Sequence, residues 1–198
     1  NSFLKCLKDY NIDPEEVVFV AHSTTQATNA LLEGDVAKIG IISTAKPGIE
    51  GWLARIQSNL KDIDLGTGRS IHISSRFVTQ NELKEEKIST IIDELLADGM
   101  DVLVASAAFG VDDLCLEEQI AEVGRKKGIP VTLASEMTKL YGLSRRTRTA
   151  TINASILPKM LETANSTEES VRSSGVDVPL MIMRGDGGLM DVVEMKKR

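Results

Sequence analysis

Four short stretches of this chain carry residue types that could do chemistry. The first runs Ala21-His22-Ser23-Thr24-Thr25-Gln26-Ala27-Thr28-Asn29. It places an imidazole, several hydroxyls and an amide where an apolar run gives way to a helical pattern. The first turn of a helix has unpaired N–H groups that attract anions, and an imidazole can take or give a proton near neutral pH. A plainer reading is a capping box, with Ser23 and Gln26 closing the helix start. Both readings stand on spacing alone.

The second stretch is Gly142 to Ser155, where Arg145, Arg146 and Arg148 alternate with Thr147, Thr149 and Thr151 ahead of Asn153. Guanidinium groups beside hydroxyls suit carboxylate or phosphate recognition. A solvated basic turn paired with the protein's own carboxylates fits equally. The third is Asp112-Asp113. A carboxylate pair could hold a metal, but Asp at a helix start is better read as capping. The fourth is Gly185-Asp186-Gly187-Gly188, between an apolar run and a helical pattern. Such glycines permit close backbone approach to a ligand, and Asp186 could hold a cation bridging phosphates; Asp-Gly-Gly is also ordinary turn chemistry. No Lys-Ser/Thr pair follows, so a Walker-type loop is excluded.

Positioning these residues requires a scaffold, and the periodicity describes one. Val17–Ala21 is a continuous apolar run, the mark of a strand buried on both faces, and Lys38–Thr44, Asp101–Phe109 and Pro130–Ser135 read as further strands. Between them lie helical patterns at 47–60, 81–99 and 116–128, the middle one with Leu83, Ile88, Ile91, Ile92, Leu95 and Leu96 on one face. Ser23–Gly34 is a further helix. The βαβα rhythm predicts an α/β fold, a mostly parallel sheet flanked by helices on both faces. After Ser135 a long helical pattern takes over, with Ile152, Ile156, Leu157, Met160 and Leu161 as its apolar stripe and Pro158 as a local break. Pro179–Met183 is a last strand. In this reading 38–135 is a βαβ-rich subdomain and 136–198 a helical segment followed by the start of a second half. The polar loops are expected to meet at one rim of a single twisted sheet.

Composition excludes several classes. The net charge of -6 argues against nucleic-acid and anionic-membrane binding. No apolar stretch reaches the length of a membrane span. Cys6 and Cys115 are the only cysteines, without metal-ligand spacing, and read as buried thiols of a cytoplasmic protein. His72, in an alternating stretch, reads as a strand-face residue without a role.

Three of these stretches, in this order, resemble the hydantoinase A/5-oxoprolinase family. Ala21–Thr44 resembles its His-Gly-Thr-Thr segment leading into Ala-Thr-Asn-Ala and a strand, with Ser23 where Gly is usual. Tyr141–Met160 resembles its Arg-Thr-rich segment before an Asn-Ala helix ending in Pro. Pro179–Met190 resembles its apolar strand and Asp-Gly-Gly turn. The resemblance implies a partial actin-like ATPase (ribonuclease H-like) domain with an α/β subdomain. It implies ATP and Mg²⁺ as cofactors of a longer parent that phosphorylates the oxygen of a cyclic amide, a hydantoin or 5-oxoproline, so that water can open the ring. It implies a B-type partner subunit; a homo-oligomer is also compatible.

The family's Asp-x-Gly-Gly-Thr phosphate loop and Ser-Gly-Pro-Ala-Gly segment do not occur in residues 1–198, so the chain reads as a fragment expected to bind ATP weakly or not at all. Position and resemblance together assign His22, Thr24, Thr25 and Asn29 to the substrate or phosphate cleft. They assign Arg145, Arg148 and Asn153 to a carboxylate or phosphoryl group, and Asp186, Gly187 and Gly188 to the nucleotide. His22, Arg145 and Arg148 are the catalytic candidates. Other readings are a non-catalytic actin-like module, such as an enzyme-reactivating chaperone, and an α/β binding domain without ATP.

Overall fold

The structure is a computed structural model that describes residues 2–23, 25–66, 68–183 and 188–192. In chain order its helices and strands are α1 Ser2–Asp9, β1 Val20–Ser23, α2 Thr25–Glu33, β2 Ile39–Ala45, α3 Ile49–Ser58, β3 Ile63–Gly66, β4 Arg69–Ile71, β5 Ile73–Thr79, α4 Glu85–Ala97, β6 Val102–Ala107, α5 Cys115–Lys126, β7 Val131–Leu133, α6 Ala134–Met137, α7 Leu143–Arg172, β8 Leu180–Met183 and β9 Leu189–Asp191. They fall into two compact units, one of residues 1–30 and 159–198, the other of residues 31–158.

The larger unit is built on a four-stranded sheet in the order β5-β2-β6-β7. Every neighbouring pair in it is parallel. Alternation along β2 and β6 sorts the core into two layers. Ile42, Leu103 and Ala105 meet Ile88, Ile92, Leu95 and Ile120 of α4 and α5 on one face. Ile39, Ile41, Val102 and Val104 meet the β3–β4 hairpin and Ala150 and Ala154 of α7 on the other. Both faces are therefore covered, as the βαβα pattern predicts.

Close approach of α5 to this sheet depends on Gly124. A Cβ there would lie 2.4 Å from Val131 Cγ2. Gly124→Ala is expected to lower the unfolding free energy by about 1–3 kcal/mol through overpacking, read from the urea midpoint.

The smaller unit contains a three-stranded sheet, β1-β8-β9. β1 and β8 are parallel, with His22 opposite Ile182 and Ser23 opposite Met183. β9 returns antiparallel, with Leu189 opposite Met183. Its core joins Met160 and Ala164 of α7 to Leu180, Ile182 and Val192.

Several expectations are corrected. The strands form three separate sheets rather than one, because the whole larger unit is inserted between α2 and the second half of α7. Val17 to Phe19 are not in a strand, and Val18 and Phe19 are exposed, because only four residues of β8 are available to pair. The inner face of α7 in the larger unit is made of small residues, Thr147, Ala150, Thr151, Ala154 and Ser155, while Ile152, Ile156 and Leu157 are half-buried. α7 runs through Pro158 as one helix. Cys6 and Cys115 are exposed thiols, not buried ones.

Candidate functional site

In the smaller unit, parallel pairing decides the geometry. Adjacent parallel strands end at the same sheet edge, and ligands of open α/β sheets gather at carboxyl ends. β1 ends in His22-Ser23 and β8 in Ile182-Met183, side by side. Gly188 directly precedes Leu189, which pairs with Met183, so it lies at that edge too. α2 starts at Thr25, two residues beyond the end of β1, which brings its N-terminus to the same edge. Thr25 and Asn29, one helical turn apart, are exposed there. Gln26 accepts a hydrogen bond from Thr163 Oγ1 at 2.6 Å and ties α2 to α7.

His22 is half-buried, and its Nε2 is buried with no hydrogen-bond partner. A ring nitrogen left without a partner is free to serve a ligand or a water. Ser23 is the last strand residue rather than a helix cap, since α2 begins at Thr25. Thr24, Asp186 and Gly187 lie outside the described residues. Thus His22, Thr25 at the start of α2 and Gly188 share one edge of one sheet, with Asn29 one helical turn further along α2.

Arg145, Arg148 and Asn153 belong to the larger unit. Helical geometry splits the arginine segment. Arg145 and Arg148 are exposed on α7, Asn153 is half-buried, and Arg146 points inward with 2% exposure. Thr149 Oγ1 and Thr151 Oγ1 donate to the carbonyls of Arg145 and Thr147, so these hydroxyls are taken up by their own helix.

The buried polar centre of this unit is one that spacing alone did not single out. Glu117 is fully buried. Its Oε1 accepts from the Ala107 N–H at 2.9 Å and the Ser135 hydroxyl at 2.8 Å, and its Oε2 from the Ser135 N–H at 2.9 Å. The carboxylate thereby ties the ends of β6 and β7 together. Burial pushes its carboxyl above the usual 4.5, while these hydrogen bonds and the Arg146 charge pull the other way. Arg146 Nη2 donates to the Ala107 carbonyl at 2.6 Å and Nη1 to the Leu140 carbonyl at 3.3 Å. Desolvation lowers the Arg146 pKa, opposed by Glu117 and Asp112.

A signal for both residues exists in the sequence. Glu117 is in phase with Ile120, Ala121 and Gly124, and Arg146 with Ala150 and Ala154, on the buried faces of their helices. Asp113 Oδ1 accepts from the Cys115 N–H at 2.9 Å at the start of α5, and Asp112 accepts from the Tyr141 hydroxyl. Among the described residues no group of three or more His, Cys, Asp or Glu side chains is placed to hold a metal ion.

The family model described as hydantoinase/oxoprolinase N-terminal region matches residues 1–128, and the one described as hydantoinase/oxoprolinase matches residues 146–198. The chain belongs to the hydantoinase/oxoprolinase family. It is 22% identical over 202 residues to the acetophenone carboxylase gamma subunit of Aromatoleum aromaticum, covering 87% of this chain and 27% of that protein.

Among solved structures it is similar to the ATP-dependent caprolactamase of Pseudomonas jessenii, with a TM-score of 0.66, 19% identity, and coverage of 95% of this chain and 30% of that one. It is also similar to a nucleotide-free acetone carboxylase, with a TM-score of 0.64, 16% identity, and coverage of 93% and 30%. These likenesses establish the α/β, actin-like fold. The chain spans about 30% of the length of the solved relatives. Among the described residues no helix is long and apolar enough to cross a membrane.

Proposed function

We propose that this chain is part of an ATP-dependent hydrolase that opens a cyclic amide of the hydantoin or 5-oxoproline type. The observation that carries the reading is the shared edge of β1 and β8, which gathers His22, the α2 N-terminus and Gly188 beside two parallel strand ends. The ATP-dependent activities named for the similar structures support it. When bound, ATP with Mg²⁺ would supply a phosphoryl group to the amide oxygen, which activates the ring carbon toward water so that the C–N bond can break and the ring nitrogen can leave.

The donor set at the edge suits an anionic group of this kind. The first N–H groups of α2 and the Thr25 hydroxyl would hold phosphoryl oxygens, as helix N-termini do. Gly188 would let the backbone approach them closely. His22, through its unpartnered Nε2, would orient the attacking water and take its proton. Asp186 is the carboxylate assigned to the cation. Arg145, Arg148 and Asn153 are assigned to charge on the substrate or the phosphoryl group. In this reading the protein is cytoplasmic and works with a B-type subunit, a division of labour consistent with a relative that is itself a subunit.

The reading is tested by phosphate release from Mg-ATP in the full-length parent. A hydantoin or lactam is expected to stimulate release by roughly tenfold or more, as substrate binding completes the site. Release indifferent to every cyclic amide would instead mark a non-catalytic ATPase.

A further inference from the structure

The larger unit carries a site that the edge of β1 and β8 does not use. In the order β5-β2-β6-β7 the chain passes from β2 to β5 on one side and then to β6 on the other. Connections leave β2 and β6 in opposite directions, and a crevice opens beyond such a switch point. A cleft of about 290 Å³ lies there, between α3, the loop after β6 and the start of α7. Its walls are largely apolar, with Leu53, Ala54, Ala108, Phe109 and Leu143.

Three features mark it as more than a surface hollow. Phe109 has φ of 56° and is 59% exposed. A bulky side chain in the left-handed region is a strained conformation that a fold keeps where the surroundings impose it. They do so here: a Cβ on the next residue, Gly110, would lie 2.6 Å from Ser135 Oγ and 2.7 Å from Glu117 Oε1, so the loop is held against the Glu117 clamp. Arg146 lines the cleft, is 2% exposed, and its buried Nε–H has no partner. A buried donor left unpaired is costly, and a ligand acceptor would relieve that cost. Gly142 and Leu143 also line the cleft, which puts the first turn of the 30-residue helix α7 beside it.

Charge selects the ligand. Arg146 already faces the opposite charges of Glu117 and Asp112, and half-buried Glu50 adds another carboxylate to the cleft wall. A further anion would be repelled and would lose its hydration. A neutral carbonyl can accept from Arg146 and the α7 N–H groups, while an amide N–H can donate to Glu50 and an apolar body fills the walls. We infer that this cleft binds a small neutral carboxamide on a compact apolar body. The assignment is independent of the nucleotide reading, and its test requires no ATP.

The test is a titration of the ¹⁵N-labelled chain with cyclohexanecarboxamide and, separately, with the isosteric anion cyclohexanecarboxylate. The Arg146 Nε–H resonance, identified by its loss in Arg146→Lys, is expected to shift saturably with the carboxamide. The carboxylate is expected to bind at least about tenfold more weakly. Gln57→Trp and Leu53→Trp, substitutions at exposed positions on the α3 side of the cleft, are expected to abolish the shift while leaving the circular dichroism unchanged. No saturable shift, equal binding by a folded blocking variant, or a carboxylate that binds as tightly as the carboxamide would each overturn the assignment.

Discussion

Glu117→Ala is expected to lower the free energy of unfolding by about 3–5 kcal/mol, a large part of the stability of a domain this size. Three hydrogen bonds converge on this carboxylate, from the Ala107 N–H and from the N–H and hydroxyl of Ser135. Alanine leaves those donors buried and unpaired, removes the opposite charge nearest in effect to Arg146, and frees the ends of β6 and β7. Urea unfolding followed by circular dichroism measures the loss. A change below about 1 kcal/mol would mean that water or a neighbour replaces the carboxylate without cost.

A pH series adds a second readout. Burial holds the folded-state pKa of Glu117 above 4.5. The native state therefore binds this proton more tightly than the unfolded chain does. Its contribution to stability is fully present below 4.5 and is lost as pH rises through the folded value. Glu117→Gln lacks this titration, so the difference between the two profiles isolates the slope.

His22→Ala in the full-length parent is expected to cut amide-dependent turnover by about 100-fold, the usual contribution of a positioned acid or base. Because Nε2 has no protein partner, removing the ring orphans nothing in the fold, and loss of packing from the half-buried ring is expected to cost no more than about 2 kcal/mol. The loss is expected in kcat, with the KM for ATP nearly unchanged. Equal losses of stability and turnover would make His22 a packing residue.

Local pattern was enough to read the larger sheet. Ile39–Ala45 and Val102–Ala107 are dominated by apolar residues, interrupted only by Ser43, Thr44 and Ser106, and are buried along their whole length. The α4 stripe of Ile88, Ile91, Ile92 and Leu95 is buried as its period requires. The pairing of β1 with β8 was not legible, because their partnership arises from an inserted unit and no local residue encodes it. The inner face of α7 departs from the hydrophobic stripe because small residues, Ala150, Thr151 and Ala154, let the helix approach the sheet closely, whereas hydrophobic size directs attention to Ile152 and Ile156.

The candidate site was legible where a motif ends a strand, as at His22. It was not legible where the polar group is buried by helical phase. In the arginine segment, residue type pointed to Arg145 and Arg148, but the helix turns Arg146 inward. Glu117 was hidden for the same reason, a carboxylate sitting at an apolar-stripe position.

We propose that phosphoryl transfer and ring opening are one coupled reaction. Quantifying inorganic phosphate and ring-opened product together, in the full-length parent supplied with Mg-ATP and a cyclic amide, tests it most directly. The two are expected to rise one for one, and neither to form without the other. Phosphate released with the ring intact, or a ring opened without ATP, would contradict it.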